Sequence, residues 1–214
     1  FDDVVLATGV TPRIPDVKGI DHPKVVTYLD VLRDHAPVGS TVAVMGAGGI
    51  GFDVAEYLTQ SGPSATVTPD RFYAEWGIDT SYSNRGGLTQ VHLERPPRKI
   101  TLLQRKHSKV GGGLGKTTGW IHRTELKKRG VDMVPGVTYE SIDDAGLHMT
   151  IDDQPVVLDV ETIVVCTGQE PQRELLADLE AAPATVHVIG GADVAAELDA
   201  KRAIKQGTEV AAAL

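Results

Sequence analysis

The stretch VAVMGAGGIG, Val42 to Gly51, is an apolar strand that runs directly into a glycine-rich turn. Gly46, Gly48 and Gly51 have the G-x-G-x-x-G spacing of a dinucleotide-binding turn, and an apolar helical pattern follows. The first glycine permits the tight bend, the second lets the backbone approach a pyrophosphate, and the third lets the helix pack against the strand. Together with Gly49, these glycines are the predicted pyrophosphate site, because a helix N-terminus there offers free N–H groups.

Alternating strands and helices surround this turn. Apolar runs predict strands at 4–7, 41–45, 100–103, 132–134, 162–166 and 186–189, helices at 28–34, 50–60, 117–129 and 195–214, and an antiparallel meander at 139–142, 147–151 and 156–158. The pattern predicts an α/β fold with a Rossmann-like, three-layer dinucleotide-binding domain that carries a β-meander. Residues 61–98 are rich in Pro and Gly and mostly polar, and we interpret them as an insertion.

The amino-acid composition excludes several classes of partner and of metal site. The 214 residues include 29 acidic and 21 basic side chains, a formal charge of -8, so no overall positive field attracts nucleic acid or an anionic membrane surface. Cys166 is the single cysteine, which excludes an internal disulfide and a Cys-ligated zinc or iron–sulfur site built from this chain alone. No apolar run approaches the roughly 20 residues that cross a bilayer. We therefore expect a cytoplasmic protein without nucleic-acid or membrane partners.

The predicted strand 100–103 is the second strand of the dinucleotide-binding domain, and the residues after it bear on the choice between NAD and NADP. An acidic residue here would accept hydrogen bonds from the adenine ribose, but this chain has Gln104, Arg105 and Lys106 instead. Arginine offers a planar fork of donors to a 2′-phosphate, and lysine offers a point charge. The pattern favours NADP, although a solvated basic strand end is the alternative.

Other candidate motifs are weaker. GGGLGKTT, residues 111–118, resembles a phosphate-binding P-loop, but Val110 stands where a Walker A motif requires glycine. The alternatives are a flexible loop before a helix, or a segment in which Lys116 lines the cofactor cleft. The seven histidines have no metal-ligand spacing, and surface or packing roles are favoured for His107 and His122.

Several longer motifs carry a resemblance to known proteins. DDVVLATGVTPRIP, the GAGGIG turn, ETIVVCTGQEP and VHVIGGADVAAELDAKRAIKQG together resemble flavoproteins with two dinucleotide-binding domains, in which an NAD(P) domain is inserted within an FAD domain. More closely, KVVTYLDVLRDHAPVGSTVAVMGAGGIGFDVAEYL, EWGID and LLQRKHSKVGGGLGKTTGWIHR look like the C-terminal portion of the NADPH-dependent bacterial 2,4-dienoyl-CoA reductases.

This resemblance implies a larger parent enzyme. In that family an N-terminal TIM barrel with FMN and a Cys-ligated [4Fe-4S] cluster precede the FAD and NADPH domains. Hydride passes from NADPH to FAD, electrons cross the cluster to FMN, and FMN reduces the unsaturated acyl-CoA. The chain would then be the NADPH-binding and partial FAD-binding portion, with no catalytic residue of the reductase site. Alone, it is expected to leave dienoyl-CoA unreduced and to hold FAD weakly, since it lacks the first glycine turn of an FAD domain.

The resemblance also implies roles for residues outside the glycine turn. Gly168 would lie close to NADP, Thr8 and Gly9 would form the turn at the FAD side, and Asp193 would bond the FAD ribityl chain, with a helix N-cap as its alternative role. Residues 36–168 would form the NADPH domain, and segments 1–35 and 169–214 would come together as part of the FAD domain. The competing functional interpretation is a stand-alone, non-catalytic NADP-binding or interaction module.

Overall fold

The computed structural model describes residues 1–196 and 200–214. The strands are β1 (Asp3–Leu6), β2 (Val10–Pro12), β3 (Val25–Thr27), β4 (Thr41–Met45), β5 (Lys99–Leu103), β6 (Asp132–Val134), β7 (Val137–Asp143), β8 (Gly146–Ile151), β9 (Gln154–Leu158), β10 (Thr162–Val165), β11 (Gln169–Pro171) and β12 (Thr185–Val188). The α-helices are α1 (Tyr28–Leu32), α2 (Gly49–Thr59), α3 (Pro69–Trp76), α4 (Gly119–Lys128), α5 (Leu176–Glu180) and α6 (Ala200–Ala213). The chain divides into a central unit, Asp16–Cys166, and a flanking unit, Phe1–Pro15 with Thr167–Leu214.

The central unit is built on a five-stranded parallel sheet in the order β3-β10-β4-β5-β6. Strand β4 lies in the middle, and its residues from Val42 to Met45 are fully buried at 0% exposure, as expected for a strand covered on both faces. The chain moves from β4 to β5 on one side, whereas β10 pairs on the other. The carboxyl end of β4 is therefore the point where the strand order reverses, which is where open α/β sheets bind ligands.

The sheet lies between a helical layer and the meander. Val44 faces a core with Phe52 of α2 and Leu126 of α4, whereas its neighbour Met45 faces the opposite core with Leu147 of the meander. This alternation follows from the two-residue period of a strand. The meander consists of β7, β8 and β9 in antiparallel order. The predicted α/β fold with a Rossmann-like dinucleotide-binding domain is confirmed.

The insertion at 61–98 carries a helix, α3, that the sequence analysis did not predict. The helix begins at Pro69 and ends before Gly77, whose φ of 64° is left-handed. Glu75 of α3 is 3% exposed and lies 2.6 Å from the Nη2 of Arg129, which follows α4. Arg71 reaches the other carboxylate oxygen of Glu75 at 2.8 Å. A buried ion-pair network therefore fixes the insertion to the rest of the central unit.

The flanking unit joins the two ends of the described chain. Strand β1 pairs in parallel with β12, and β2 pairs antiparallel with β11. The first boundary between units lies after Pro15, not at residue 35 as expected from the sequence, because β3 pairs with β10 in the central sheet. The second lies after Cys166 instead of after residue 168. Helix α6 starts at Ala200, and residues 197–199 of the predicted 195–214 helix lie outside the described residues. None of the described helices is long and apolar enough for a membrane span.

Candidate dinucleotide-binding site

The glycine turn after β4 is shaped by a close approach between backbone segments. Gly46 has a φ of 109°, in the region that favours glycine, and its N–H donates to the carbonyl of Leu103 on β5 at 3.0 Å. A Cβ added at Gly51 would overlap the carbonyl oxygen of Gly46 and lie 3.5 Å from a methyl of Leu102. Helix α2 therefore rests directly on the turn, and a side chain at Gly51 would push it away.

The same turn leaves an open face at the start of α2. Gly48 is the N-cap residue, in extended conformation and without a side-chain cap, and α2 has no acidic residue in its first turn. A Cβ built at Gly48 or Gly49 would meet nothing within 4 Å. The first N–H groups of a helix have no partner within it, and the helix dipole favours negative charge there. The backbone N–H groups at the end of β4 face empty space, and they can donate hydrogen bonds to a pyrophosphate there.

The loop after β5 presents the predicted basic residues. Its shape is fixed by Gln104, whose Nε2 donates to the carbonyls of Lys106 at 2.9 Å and of Ser108 at 2.7 Å. The Gln104 amide therefore holds the loop, while the side chains of Arg105 and Lys106 are exposed. Neither cation forms an ion pair with another residue in the described part of the chain. Both are free to meet an anion.

Tyr139 of β7 is a neighbour of this site that the sequence analysis missed. Its hydroxyl is buried and has no well-formed hydrogen bond to any described residue. Burial raises the pKa of Tyr139 well above its ordinary value, and the nearby charge of Arg105 opposes that rise only in part. A tyrosine in a meander has no sequence signal that links it to a glycine turn nearly a hundred positions earlier, so only the fold could reveal it.

Cys166 lies at the carboxyl end of β10, next to the end of β4. Its N–H donates to the carbonyl of Met45 at 2.8 Å. Burial raises the pKa of the Cys166 thiol to about 12, so the thiol stays neutral at physiological pH. A thiolate is the reactive and metal-binding form of cysteine, and this side chain is therefore a packing group.

The two histidines singled out in the sequence also make contacts within the protein. The His107 ring lies against Gly136, where an added Cβ would come 2.7 Å from Nδ1. His122 Nδ1 lies 3.6 Å from the carboxylate of Glu56, whose pKa is raised by burial and, to a lesser degree, by the neighbouring Glu125. Among the described residues, no group of three or more His, Cys, Asp or Glu side chains could hold a metal ion.

The flanking unit contains three of the other predicted site residues in two adjoining turns. Thr8 donates through its hydroxyl to the carbonyl of Gln172 at 2.6 Å, and Gly9 accepts from the Gln172 N–H at 3.0 Å. Gly9 has a φ of 79° and Gly168 a φ of 118°, both in the region that favours glycine. The carbonyl of Gly168 accepts from the N–H of Arg13 at 3.0 Å. Within the flanking unit, Thr8 and Gly9 therefore lie in the turn between β1 and β2, and Gly168 directly precedes β11.

Asp193 is held by side chains from α6. Its carboxylate accepts from Gln206 Nε2 at 2.8 Å and lies 4.0 Å from a guanidinium nitrogen of Arg202. Arg173 donates to the backbone carbonyl of Asp193. Asp193 follows a short 3-10 helix, seven positions before the described start of α6 at Ala200. Helix α6 therefore holds the carboxylate through its Oδ2 atom.

Comparisons with known proteins agree with this geometry. Residues 1–203 match the family described as pyridine nucleotide-disulphide oxidoreductase. A metal reductase of Desulforamulus reducens is 28% identical over 195 residues, which cover 90% of this chain and 28% of that protein. A solved 2-naphthoyl-CoA reductase complex has a TM-score of 0.71 at 22% identity and covers 96% of this chain and 26% of that chain. An engineered water-forming NADPH oxidase bound to NADPH has a TM-score of 0.56 at 19% identity and covers 98% of this chain and 45% of that chain.

The chain spans little more than a quarter of the metal reductase and of the naphthoyl-CoA reductase. At these identities the solved structures establish the fold, and the family match extends over most of the sequence. The family comprises flavin-dependent oxidoreductases that bind FAD and NAD(P). This chain belongs to the pyridine nucleotide-disulphide oxidoreductase family.

Proposed function

We propose that the central unit binds NADPH and that the flanking unit supplies part of an FAD site. The observation that carries this proposal is the pairing of the open face at Gly48 and Gly49 with the loop that presents Arg105 and Lys106. The glycine face suits the pyrophosphate, and the two unpaired cations suit the adenosine 2′-phosphate. Gln104 contributes by holding the loop. When bound, NADPH would supply hydride to the flavin.

The residues of the flanking unit support a partial FAD site. The carboxylate of Asp193 is oriented by Gln206 and Arg202 and could accept from a ribityl hydroxyl of the flavin. Thr8 and Gly9 form a turn in which Gly9 is left-handed, and this conformation allows close approach of a ligand to the backbone. We expect Asp193→Ala to weaken FAD retention in the longer parent protein.

The whole reaction would take place in a parent enzyme similar to the 2,4-dienoyl-CoA reductases. The long motifs around the glycine turn support that assignment, and a structural neighbour is named for its CoA thioester, 2-naphthoyl-CoA. The only cysteine, Cys166, is a buried neutral thiol, so an iron–sulfur cluster and FMN would have to be held elsewhere in the parent. The acyl-CoA and the TIM-barrel domain are therefore proposed partners, in the cytoplasm. The competing proposal is a non-catalytic NADP-binding module, and an upstream barrel with clustered cysteines in the gene would favour the enzyme.

The NADPH assignment is tested by isothermal titration calorimetry on Arg105→Ala. Loss of one charge-assisted contact to the 2′-phosphate should cost about 1.5 to 3 kcal/mol, or roughly a 10- to 150-fold weaker NADPH affinity. The affinity for NADH should stay nearly unchanged, because NADH lacks that phosphate. Arg95→Ala removes another exposed cation and serves as the charge control. Equal losses of NADPH and NADH affinity in the Arg105 variant would contradict the assignment.

A further inference from the structure

A cavity of the central unit, separate from the open face at the glycine turn, lies between α4 and the edge strand β6. It encloses about 620 Å³, within the range of small-molecule sites, and its lining includes no residue of the glycine turn or of the Gln104–Lys106 loop. Val110, Val131 and Met133 form an apolar floor, and the first two are only 5% and 7% exposed. The floor of the cavity is therefore part of the packed core of the unit, and its mouth is open to solvent.

The charge around this cavity is opposite in sign to that of the chain. Lys109, Arg123 and Lys127 line it against a single carboxylate, Asp132, in a chain with a formal charge of -8. Within the described residues, none of these three cations forms an ion pair, unlike Arg129. With three cations and one carboxylate, the lining has a net formal charge of +2, which attracts an anion.

The cations lie on one face of α4 together with an aromatic ring. Trp120, Arg123 and Lys127 are spaced at i, i+3 and i+7, so their side chains share the face that borders the cavity. The Trp120 indole is 57% exposed. Arg123 is oriented by one hydrogen bond, from Nη1 to the carbonyl of Gly111 at 2.8 Å, which leaves its other guanidinium donors available. An exposed ring beside an oriented guanidinium suits a planar ligand with an anionic group.

We propose that this cavity binds a small aromatic anion. The ring would lie against Trp120 and Met133, and a phosphate or carboxylate group would be held by Lys109, Arg123 and Lys127. This binding site is distinct from the proposed NADPH site and does not depend on it, because the two share no lining residue.

Phenyl phosphate is a suitable probe, followed by NMR on the two indole N–H signals of the 214-residue chain. The Trp120 signal should shift saturably, while that of Trp76, which Lys128 covers at 4.0 Å, should stay in place. Inorganic phosphate lacks the aromatic ring and phenol lacks the anionic group, so each should bind at least about 10-fold more weakly than phenyl phosphate. Equal shifts of both indoles, or equal affinities for phosphate and phenyl phosphate, would overturn the proposal.

Variants separate this site from the proposed dinucleotide site. Lys127→Gln, at an exposed position, and Arg123→Gln should each weaken phenyl phosphate binding at least about 10-fold, whereas Lys99→Gln, the control for net charge, should have no effect. Arg105→Ala should also leave phenyl phosphate affinity unchanged, even if it alters NADPH binding. Displacement of phenyl phosphate by NADPH would show that the cavity belongs to the dinucleotide site, and would overturn the inference of a separate one.

Discussion

Gly49 and Gly51 lie two positions apart at the start of α2, yet an added methyl group would meet open space at the first and backbone at the second. The difference arises because α2 rests on the carbonyl of Gly46 at only one point of its first turn. The two glycines therefore have separable roles, one in packing and one in leaving room for a ligand. The spacing of the motif predicted the packing role of Gly51, and the structure adds that Gly49 borders open space.

Gly51→Ala should destabilise the protein by about 1 to 3 kcal/mol, the usual cost of overpacking a filled site. Gly49→Ala should retain stability or gain up to about 1 kcal/mol from the better helix propensity of alanine. Gly49→Ala should still weaken NADPH binding, because its methyl occupies the proposed pyrophosphate face. Thermal denaturation and calorimetry measure the two effects separately. Similar melting temperatures for both variants would contradict the packing role of Gly51.

The residues of the candidate site differ in how far the sequence could predict them. The spacing of the glycine turn located the open face, because each glycine has a local backbone requirement. The sequence also placed Arg105 and Lys106 at the end of β5, where the structure exposes them. It predicted a cofactor contact for Gln104, which stays a prediction, and the structure adds that the amide of this side chain holds the loop. Tyr139 went unnoticed because only tertiary packing brings it there.

At the scale of elements, the ion-pair network of α3 and α4 joins the insertion to the sheet's helical layer. Arg129 has a side chain that is 4% exposed and contacts both Glu75 and Glu125. Without Arg129, Glu75 would keep Arg71 alone and Glu125 would have no cation partner among the described residues. Such a loss at a buried position is far more damaging than the loss of an exposed pair. The network is therefore a specific structural link between two helices that are separated by more than forty residues in the sequence.

Arg129→Met should lower the free energy of unfolding by about 3 to 5 kcal/mol, as measured by urea denaturation. Adding Glu75→Gln should recover part of the loss, because the buried carboxylate that Arg129 compensated is then removed. Arg33→Met serves as the control, since among the described residues Arg33 pairs only with the exposed side chain of Asp34, and the denaturation midpoint should not change. An unchanged midpoint for Arg129→Met would argue against a stabilising network.

Helices and strands with a strong apolar pattern could be predicted from the sequence. Those that depend on buried ion pairs or on pairing with a distant strand could not. Strand β4 and helix α2 follow directly from their apolar periodicity. Helix α3 was missed because its buried residue is a glutamate, and charged residues normally predict a solvent-exposed segment. Strand β3 has three residues, and its place beside β10 depends on a pairing more than a hundred positions away.

At the scale of the whole molecule, the two main hydrophobic cores lie entirely within the central unit. The clusters on the two faces of its sheet draw all their residues from the segment between Val17 and Cys166. Every strand of the five-stranded sheet and of the meander also belongs to this segment. A continuous segment with its own core and complete sheets has the properties of an independent domain.

Residues 16–166 expressed alone should therefore fold and unfold cooperatively on heating, because no strand of their sheets is lost. They should also retain the preference for NADPH over NADH, since Arg105 and Lys106 lie within the segment. Circular dichroism and calorimetry check the two expectations. A segment that folds but binds both nucleotides equally would contradict the discriminating role of Arg105 and Lys106. A segment that fails to fold would contradict its independence.

The parallel pairing of β1 with β12 also has a consequence for biosynthesis. Asp3 lies opposite Thr185, so the first strand reaches the ribosome exit long before its partner has been translated. At about 5 to 20 residues per second, the delay is on the order of 10 to 40 s. During that time the nascent chain can complete the central unit, while Val4 and Leu6 have no β12 to pair with. Strand β1 therefore acquires its parallel partner only at the end of synthesis, and its pairing with β12 is a late step of folding.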